Sequence, residues 1–125
     1  MYTLTVEGNF SSAHQLRGYR GKCENLHGHN WKVVLSVRGE ELDGIGLLID
    51  FNELKSILRD ILDGLDHKNI NDIPYFTSYN PSSENIARFI AGQFNAGLEA
   101  RNHATIILDS VTVWESDTSR CTYTP

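Results

Sequence analysis

The stretch CENLHGH, at residues 23–29, brings a thiol and two imidazoles together within seven residues. His27 and His29 are separated by one residue, so in an extended chain both side chains point the same way and could bind one metal ion. His14 is a third candidate ligand. Three neutral imidazoles leave a tetrahedral zinc ion with one open position, as expected of a metal that acts as a Lewis acid. The sequence therefore predicts a zinc site formed by His14, His27 and His29.

Cys23 precedes His27 by four residues and is close enough to reach the same ion. It could be a fourth ligand, which would close the site, or a thiolate that acts as a base beside the metal. Its polar neighbours favour a loop over a buried, inert thiol. The other cysteine, Cys121, lies in a short terminal strand and is interpreted as a packing residue.

Three further residues carry titratable side chains that could take part in chemistry. Asp66 and His67 are adjacent and form either an acid–base pair or the polar turn that ends a helix. Glu115 shares the parity of Val111 and Val113, so its carboxylate should lie on the apolar side of a strand and need a partner that offsets desolvation. That partner could be a guanidine-like edge of a ligand, or a lysine or arginine side chain.

The composition indicates the class of protein that carries these residues. A chain of 125 residues with 40% hydrophobic residues is expected to form one domain over residues 1–125. Its net charge of −5 argues against a nucleic-acid or anionic-membrane partner and favours a small molecule. No apolar run approaches the roughly 20 residues of a membrane span, and the first residues do not resemble a signal peptide, so we expect a cytoplasmic protein.

Hydrophobic periodicity predicts the strands that position the histidines. Residues 2–14 alternate, with His14 on the apolar parity, and residues 29–39 repeat the pattern with one exception. Residues 104–116 and 120–124 are predicted as the last two strands, joined by a short turn.

Two amphipathic helices are predicted between the second and third strands. The first begins after Asp50, which has Glu53 at capping-box spacing, and ends at Gly64. A polar connection at 66–83 follows, and the second helix begins after Asn80 or Ser82. The order β-β-α-α-β-β predicts an α+β fold with an antiparallel sheet covered on one face.

Six segments resemble, in order, the motifs of the 6-pyruvoyltetrahydropterin synthase / 6-carboxytetrahydropterin synthase family. They are FSSAH, CENLHGHNW, IDFNELK, LDHKNIND, NPSSEN and VWES. The resemblance as a whole extends over nearly the whole chain, from about residue 7 to residue 123. The resemblance implies the tunnelling fold, a four-stranded antiparallel sheet with two helices on one face. It also implies a homohexamer, assembled as a dimer of trimers with active sites between subunits.

The resemblance also implies roles for particular residues. Zinc is bound by His14, His27 and His29, and Cys23 is the catalytic thiol. Asp66 and His67 take part in proton transfer, contributed by a neighbouring subunit. Glu115 anchors the guanidine-like edge of the pterin, and Ser82 and Ser83 lie near the pterin.

The spacing of three residues between Cys23 and His27 resembles the bacterial 6-carboxytetrahydropterin synthases of queuosine (7-deazaguanine) biosynthesis. The implied substrate is 7,8-dihydroneopterin triphosphate, converted to 6-carboxytetrahydropterin with loss of acetaldehyde and triphosphate and with zinc as the only cofactor. The implied alternative within the family is a 6-pyruvoyltetrahydropterin synthase. An alternative of another class is a non-catalytic module with structural zinc and Cys23 as fourth ligand. Local basic residues are expected to receive the triphosphate: Arg17, Arg20, Lys22.

Overall fold

Four antiparallel strands form the sheet of the described residues. The computed structural model describes residues 1–21 and 25–125, so Cys23 lies outside the described residues. The strands are adjacent in chain order, β1-β2-β3-β4. Their bounds are β1 Tyr2–His14, β2 His27–Gly39, β3 Ile107–Ser116 and β4 Ser119–Tyr123.

One face of this sheet is apolar and carries the core. The predicted parity is correct for β1, where Val6, Phe10 and His14 are buried, and also for β2, whose inward residues are fully buried: Trp31, Val33, Leu35, Val37. Helix α1, Phe51–Asp63, packs against β1, and a second long helix, Ser83–Ala100, packs against β3 and β4. The predicted α+β architecture, with the long helices on one face of an antiparallel sheet, is therefore confirmed.

The ends of the long helices follow the predicted caps. The Asp50 carboxylate accepts a hydrogen bond from the Asn52 main-chain N–H at 2.7 Å, and Gly64 ends α1. Of the two candidates for the second cap, Ser82 is the cap, because its hydroxyl accepts from the Asn85 main-chain N–H at 3.2 Å. Each such cap contributes about 1 kcal/mol to stability. No helix in the described part of the chain is long and apolar enough to cross a bilayer.

The connection at 66–83 differs from the prediction, because it contains two short elements. They are a 3-10 turn, Ile70–Asp72, and helix α2, Pro74–Ser78, which precede the long helix, now α3. Elements of this length are too short to show a helical period, so the sequence pattern does not reveal them. Ile70 and Phe76 are fully buried and attach the connection to the core.

Candidate metal centre

Three histidine rings meet where β1 ends and β2 begins. His14 is the last residue of β1 and pairs in register with His27, the first residue of β2. The sequence predicts the second strand from residue 29, whereas β2 begins at His27, so His27 and His29 lie on one strand and face the same side. The ring centroids are 4.6 to 5.1 Å apart. The structure therefore brings the three predicted ligands together.

Two of these rings have their Nδ1 atoms bound to main-chain carbonyls. His14 donates to the carbonyl of Pro81 at 2.7 Å, and His27 donates to the carbonyl of Asn25 at 2.6 Å. Because a carbonyl can only accept, each neutral ring carries its proton on Nδ1 and a lone pair on Nε2. The two Nε2 atoms lie 3.1 Å apart. Two lone pairs at this distance repel each other unless they share a cation.

Glu115 reaches the same point from β3. Its Oε1 atom lies 3.2 Å from His14 Nε2 and 3.1 Å from His29 Nε2. The register of β3 with β4 shifts between Trp114 and Ser116, so Glu115 lies at an irregularity of the strand. Bulges of this kind redirect a side chain beside a functional site. The sequence predicts a buried carboxylate that needs a partner, and the structure supplies imidazoles rather than a lysine or arginine.

These four side chains fit a tetrahedral cation site. One donor atom from each lies within 4.8 Å of all the others. The three short separations are 3.1 to 3.2 Å, near the roughly 3.3 Å expected between ligands of a tetrahedral ion with bonds of about 2.0–2.1 Å. His29 Nε2 is buried and has no hydrogen-bond partner among the described residues, although Glu115 Oε1 is close to it. A cation at this point would give His29 Nε2 the partner that it lacks.

Burial keeps the candidate ligands in the form that binds a metal. Desolvation lowers the pKa of His14, and the hydrogen bond to the Pro81 carbonyl opposes it less strongly. Desolvation likewise lowers the pKa of His29, against the opposing charge of Glu115. Both rings are therefore neutral near pH 7, with lone pairs available to a metal ion.

Trp31 forms the apolar wall of the site. It is fully buried, and its indole N–H donates to the Ser12 carbonyl at 3.2 Å, which fixes the ring. Its ring lies edge-on to His14 and His29, with centroids 4.9 and 5.1 Å away. An apolar wall of this kind limits solvent access and strengthens the interactions of a bound ion with its ligands.

Asp66 and His67 form a dyad in the turn after α1, which is hydrogen-bonded to the outer edge of β1. His67 Nδ1 lies 2.8 Å from Asp66 Oδ2, and both residues are bound to the main chain of Ser11. The Ser11 N–H, followed by the His67 ring, lowers the pKa of Asp66. The His67 ring is 83% exposed. Among the described residues, no hydrogen bond or ion pair joins this dyad to the metal centre.

The remaining predicted site residues are placed in different ways. Ser82 and Ser83 directly follow Pro81, whose carbonyl holds His14, and both are half-buried at the start of α3. The hydroxyl of Ser82 is used as the helix cap. The predicted role of Cys23 falls outside the described residues and stays a prediction.

The class of protein that the fold and this centre define is an α+β domain able to hold a divalent metal ion at one end of its sheet. Comparison with known proteins makes the assignment narrower. The family model described as 6-pyruvoyl tetrahydropterin synthase matches residues 3–125. The chain therefore belongs to the 6-pyruvoyl tetrahydropterin synthase family.

Individual relatives agree over nearly the full length. The 6-carboxy-5,6,7,8-tetrahydropterin synthase of Haemophilus influenzae is 31% identical, with 98% of this chain and 99% of that protein covered. The 6-pyruvoyl tetrahydrobiopterin synthase of Dictyostelium discoideum is 34% identical, with 86% and 88% covered. The 6-pyruvoyl tetrahydropterin synthase structure from Caenorhabditis elegans superimposes with a TM-score of 0.86 at 28% identity, covering 99% of this chain and 95% of that one.

Proposed function

We propose that this protein converts 7,8-dihydroneopterin triphosphate to 6-carboxy-5,6,7,8-tetrahydropterin, with consumption of water and release of acetaldehyde and triphosphate. The observation that carries the proposal is the convergence of three imidazole nitrogens and one carboxylate oxygen at a single point. The pathway we assign is queuosine (7-deazaguanine) biosynthesis, in the cytoplasm. Zinc is the proposed ion, because imidazole nitrogens are typical zinc ligands and three of them leave the fourth tetrahedral position open to the substrate.

Two observations favour the carboxy-forming activity over the pyruvoyl-forming one. Three residues separate Cys23 from His27, as in the bacterial enzymes that the sequence resembles. The 6-carboxy-5,6,7,8-tetrahydropterin synthase of Haemophilus influenzae also matches this chain end to end. The relative from Dictyostelium discoideum, named as a pyruvoyl-forming enzyme, makes that activity the second candidate.

The chain's own residues divide the work of the reaction. When bound, zinc supplies Lewis acidity that lowers the pKa of an alcohol on the substrate side chain. The three histidines would hold the ion, and the Nδ1 hydrogen bonds of His14 and His27 fix their rings with Nε2 facing the common point. Cys23 removes a proton from the substrate as a thiolate. His67, whose Nδ1 is bound to Asp66, presents Nε2 to return a proton.

Glu115, Ser82 and Ser83 are the proposed pterin contacts. The Glu115 carboxylate accepts hydrogen bonds from the guanidine-like edge of the ring, which are stronger than hydrogen bonds between neutral groups. Ser83 has a half-buried position on the first turn of α3 and contributes a hydroxyl there. Arg17 is a weaker candidate for the triphosphate than the sequence suggests, because its guanidinium donates to the Phe76 carbonyl at 2.8 Å.

The position of the dyad supports an assembly in which one subunit completes the site of another. Asp66 and His67 lie beside the outer edge of β1, and the His67 ring is 83% exposed. A group in this position can reach a substrate held by a neighbouring chain. We therefore propose a homo-oligomer, a hexamer built as a dimer of trimers, in which the dyad serves an adjacent metal centre.

Product analysis tests the proposed function. The zinc-loaded full-length protein is incubated with 7,8-dihydroneopterin triphosphate, and the products are followed by mass spectrometry. We expect 6-carboxytetrahydropterin together with acetaldehyde. Formation of 6-pyruvoyltetrahydropterin alone would assign the second candidate, and absence of both products with zinc bound would refute a catalytic role.

A non-catalytic pterin-binding module with structural zinc is the alternative of another class. It is favoured by the position of Glu115, which offers a fourth donor and would close the site. In a second version of this alternative, Cys23 rather than Glu115 would be the fourth zinc ligand.

Substitution of Cys23 by alanine separates these alternatives. We expect Cys23→Ala to keep stoichiometric zinc and its folding transition, because the three histidines remain, while turnover falls about 10²–10⁴-fold through loss of the general base. Zinc content by mass spectrometry and thermal unfolding are measured beside the rate. Loss of zinc together with unfolding would favour the structural role.

Replacement of Asp66 by asparagine tests the dyad. Asp66→Asn keeps the shape of the side chain but removes the carboxylate that accepts from His67 Nδ1 and orients its ring, so we expect turnover to fall about 10²–10⁴-fold with zinc retained. Asp109→Asn is the matched control, since Asp109 pairs with Arg38 on the sheet at 3.5 Å.

The difference in stability between Asp66→Asn and the wild type should depend on pH. Because the folded pKa of Asp66 is lowered, its stabilisation is present above the unfolded value of about 3.9 and is lost as the pH falls through the folded pKa. The urea midpoints of the variant and of the wild type should therefore converge below about pH 3.9. A difference that stays constant down to pH 2 would contradict the role of this carboxylate.

A further inference from the structure

The segment that follows His14 is held by two asparagine side chains. Asn71 accepts from the main-chain N–H of Gln15 and donates to its carbonyl, both at 2.8 Å. Asn80 makes the same pair with the N–H and carbonyl of Arg17, again at 2.8 Å each. Each primary amide thus occupies the place that a residue of a neighbouring strand would take. The chain immediately after His14 is therefore held by the side chains of these two asparagines rather than by a neighbouring strand.

The Asn80 pair closes a ring of contacts through His14. Asn80 is bonded to Pro81, whose carbonyl accepts from His14 Nδ1 at 2.7 Å. Arg17 follows His14 by three residues. Two consecutive residues therefore contact the same segment: Asn80 binds the main chain of Arg17, and Pro81 binds the ring of His14. A shift of this pair would move the carbonyl that sets the direction of His14 Nε2.

The ring of contacts is attached to a rigid element. The main-chain carbonyl of Asn80 accepts from the Ser82 N–H at 2.8 Å and from Asn85 Nδ2 at 2.9 Å, and both donors belong to the start of α3. Pro81 is buried. Since α3 packs on the sheet, Asn80 transmits the position of this helix to the His14 ring.

We propose that Asn80 is a positioning residue for the metal centre. Asn71 has a supporting role, because it holds the main chain of Gln15, between His14 and the Arg17 residue that Asn80 binds. By binding the main chain of Arg17, Asn80 keeps the Pro81 carbonyl on His14 Nδ1, which sets the tautomer and the direction of the ligand. The inference rests on the metal site of the proposed function. Partners that orient a ligating histidine typically contribute 10–100-fold to metal affinity.

Metal affinity of the purified full-length chain tests this role without an activity assay. Zn²⁺ binding is measured by competition with a chromophoric chelator, and the visible absorption of the Co²⁺-loaded protein reports the ligand geometry. We expect Asn80→Ala to weaken Zn²⁺ binding about 10-fold or more and to change the Co²⁺ spectrum. Asn71→Ala should weaken binding less, because only Asn80 is bonded to Pro81.

Asp43→Ala is the matched control. The Asp43 carboxylate also accepts two main-chain N–H bonds, from Ile45 and Leu47 at 3.0 Å each, in the loop beyond the other end of β2. We expect this variant to lose comparable stability with unchanged Zn²⁺ affinity and an unchanged Co²⁺ spectrum.

The possible results separate the two proposals. Unchanged affinity and an unchanged spectrum in Asn80→Ala, with tight binding in the wild type, would overturn the positioning role alone. Equal weakening by Asp43→Ala would also overturn it, because general destabilisation would then explain the loss. Should Asn80→Ala fail to fold, Asn71→Ala decides, with wild-type binding and spectrum counting against the inference. A wild-type chain that binds neither ion would refute the proposed metal site, and this inference with it.

Discussion

Replacement of His29 by alanine will remove the metal and with it the activity. His29 Nε2 is buried at the centre of the site and has no hydrogen-bond partner among the described residues, so its proposed role is to bind the ion. Loss of one of three imidazoles leaves too few neutral nitrogen donors to hold zinc tightly. Because a metal contributes several kcal/mol of charge stabilisation in the transition state, we expect turnover to fall by at least about 10³-fold. Zinc content and kcat are measured on the same preparation.

His103→Ala is the control for this prediction. His103 lies in the turn after α3, where its ring contacts Glu53 at 2.7 Å rather than the metal centre. We expect it to keep zinc and turnover. Wild-type zinc content and rate in His29→Ala would exclude His29 as a ligand and would remove the basis for the proposed reaction. His29 is preferred to His14 for this experiment, because His14 is only 1% exposed and its loss would also disturb the core.

Replacement of Glu115 by glutamine will weaken pterin binding while zinc is retained. The amide has the shape of the carboxylate but no charge, so it cannot accept charge-assisted hydrogen bonds from the guanidine-like edge. Such bonds contribute about 1.5–3 kcal/mol, which corresponds to a loss of roughly 10- to 150-fold in affinity. Calorimetry with a reduced pterin gives the affinity, and zinc content is measured in parallel.

The Glu115 experiment also distinguishes an anchor from a metal ligand. Glu7→Gln is the control. Glu7 lies on β1 with its side chain on the face of the sheet away from the core, where it contacts the exposed Lys32 at 3.6 Å. If Glu115→Gln loses zinc as completely as His29→Ala does, the short contacts of Glu115 with two imidazoles reflect coordination, and the anchor role fails. If pterin affinity is unchanged, Glu115 is not part of the pterin site.

Local patterns predicted most of the fold. Alternation placed His14 on the buried side of β1, and the same rule placed Glu115 on the apolar parity of β3, because side chains alternate across a strand with a period of two. Asp50 was predicted as a cap because a short carboxylate satisfies a free N–H at a helix start. The choice between Asn80 and Ser82 was open, since both can cap and only the chain path shows which one does.

The connection at 66–83 was the least predictable part. Its 3-10 turn and α2 are stabilised by contacts with the rest of the chain rather than by a period of their own. Asn80 shows why: its residue type predicts a turn or a cap, but its side chain binds Arg17, which is distant in sequence. Hydrogen bonds of this kind leave no local pattern to read.

The sequence by itself determined which side chains face the core, where the long helices begin, and that three histidines and one glutamate were available for chemistry. These properties depend on short-range periodicity and capping, which act within a few residues. The tertiary structure alone decided that Glu115 meets His14 and that the Pro81 carbonyl sets the His14 tautomer. Both contacts join segments that are remote in the chain, and only the register of the packed sheet and the position of α3 bring them within bonding distance.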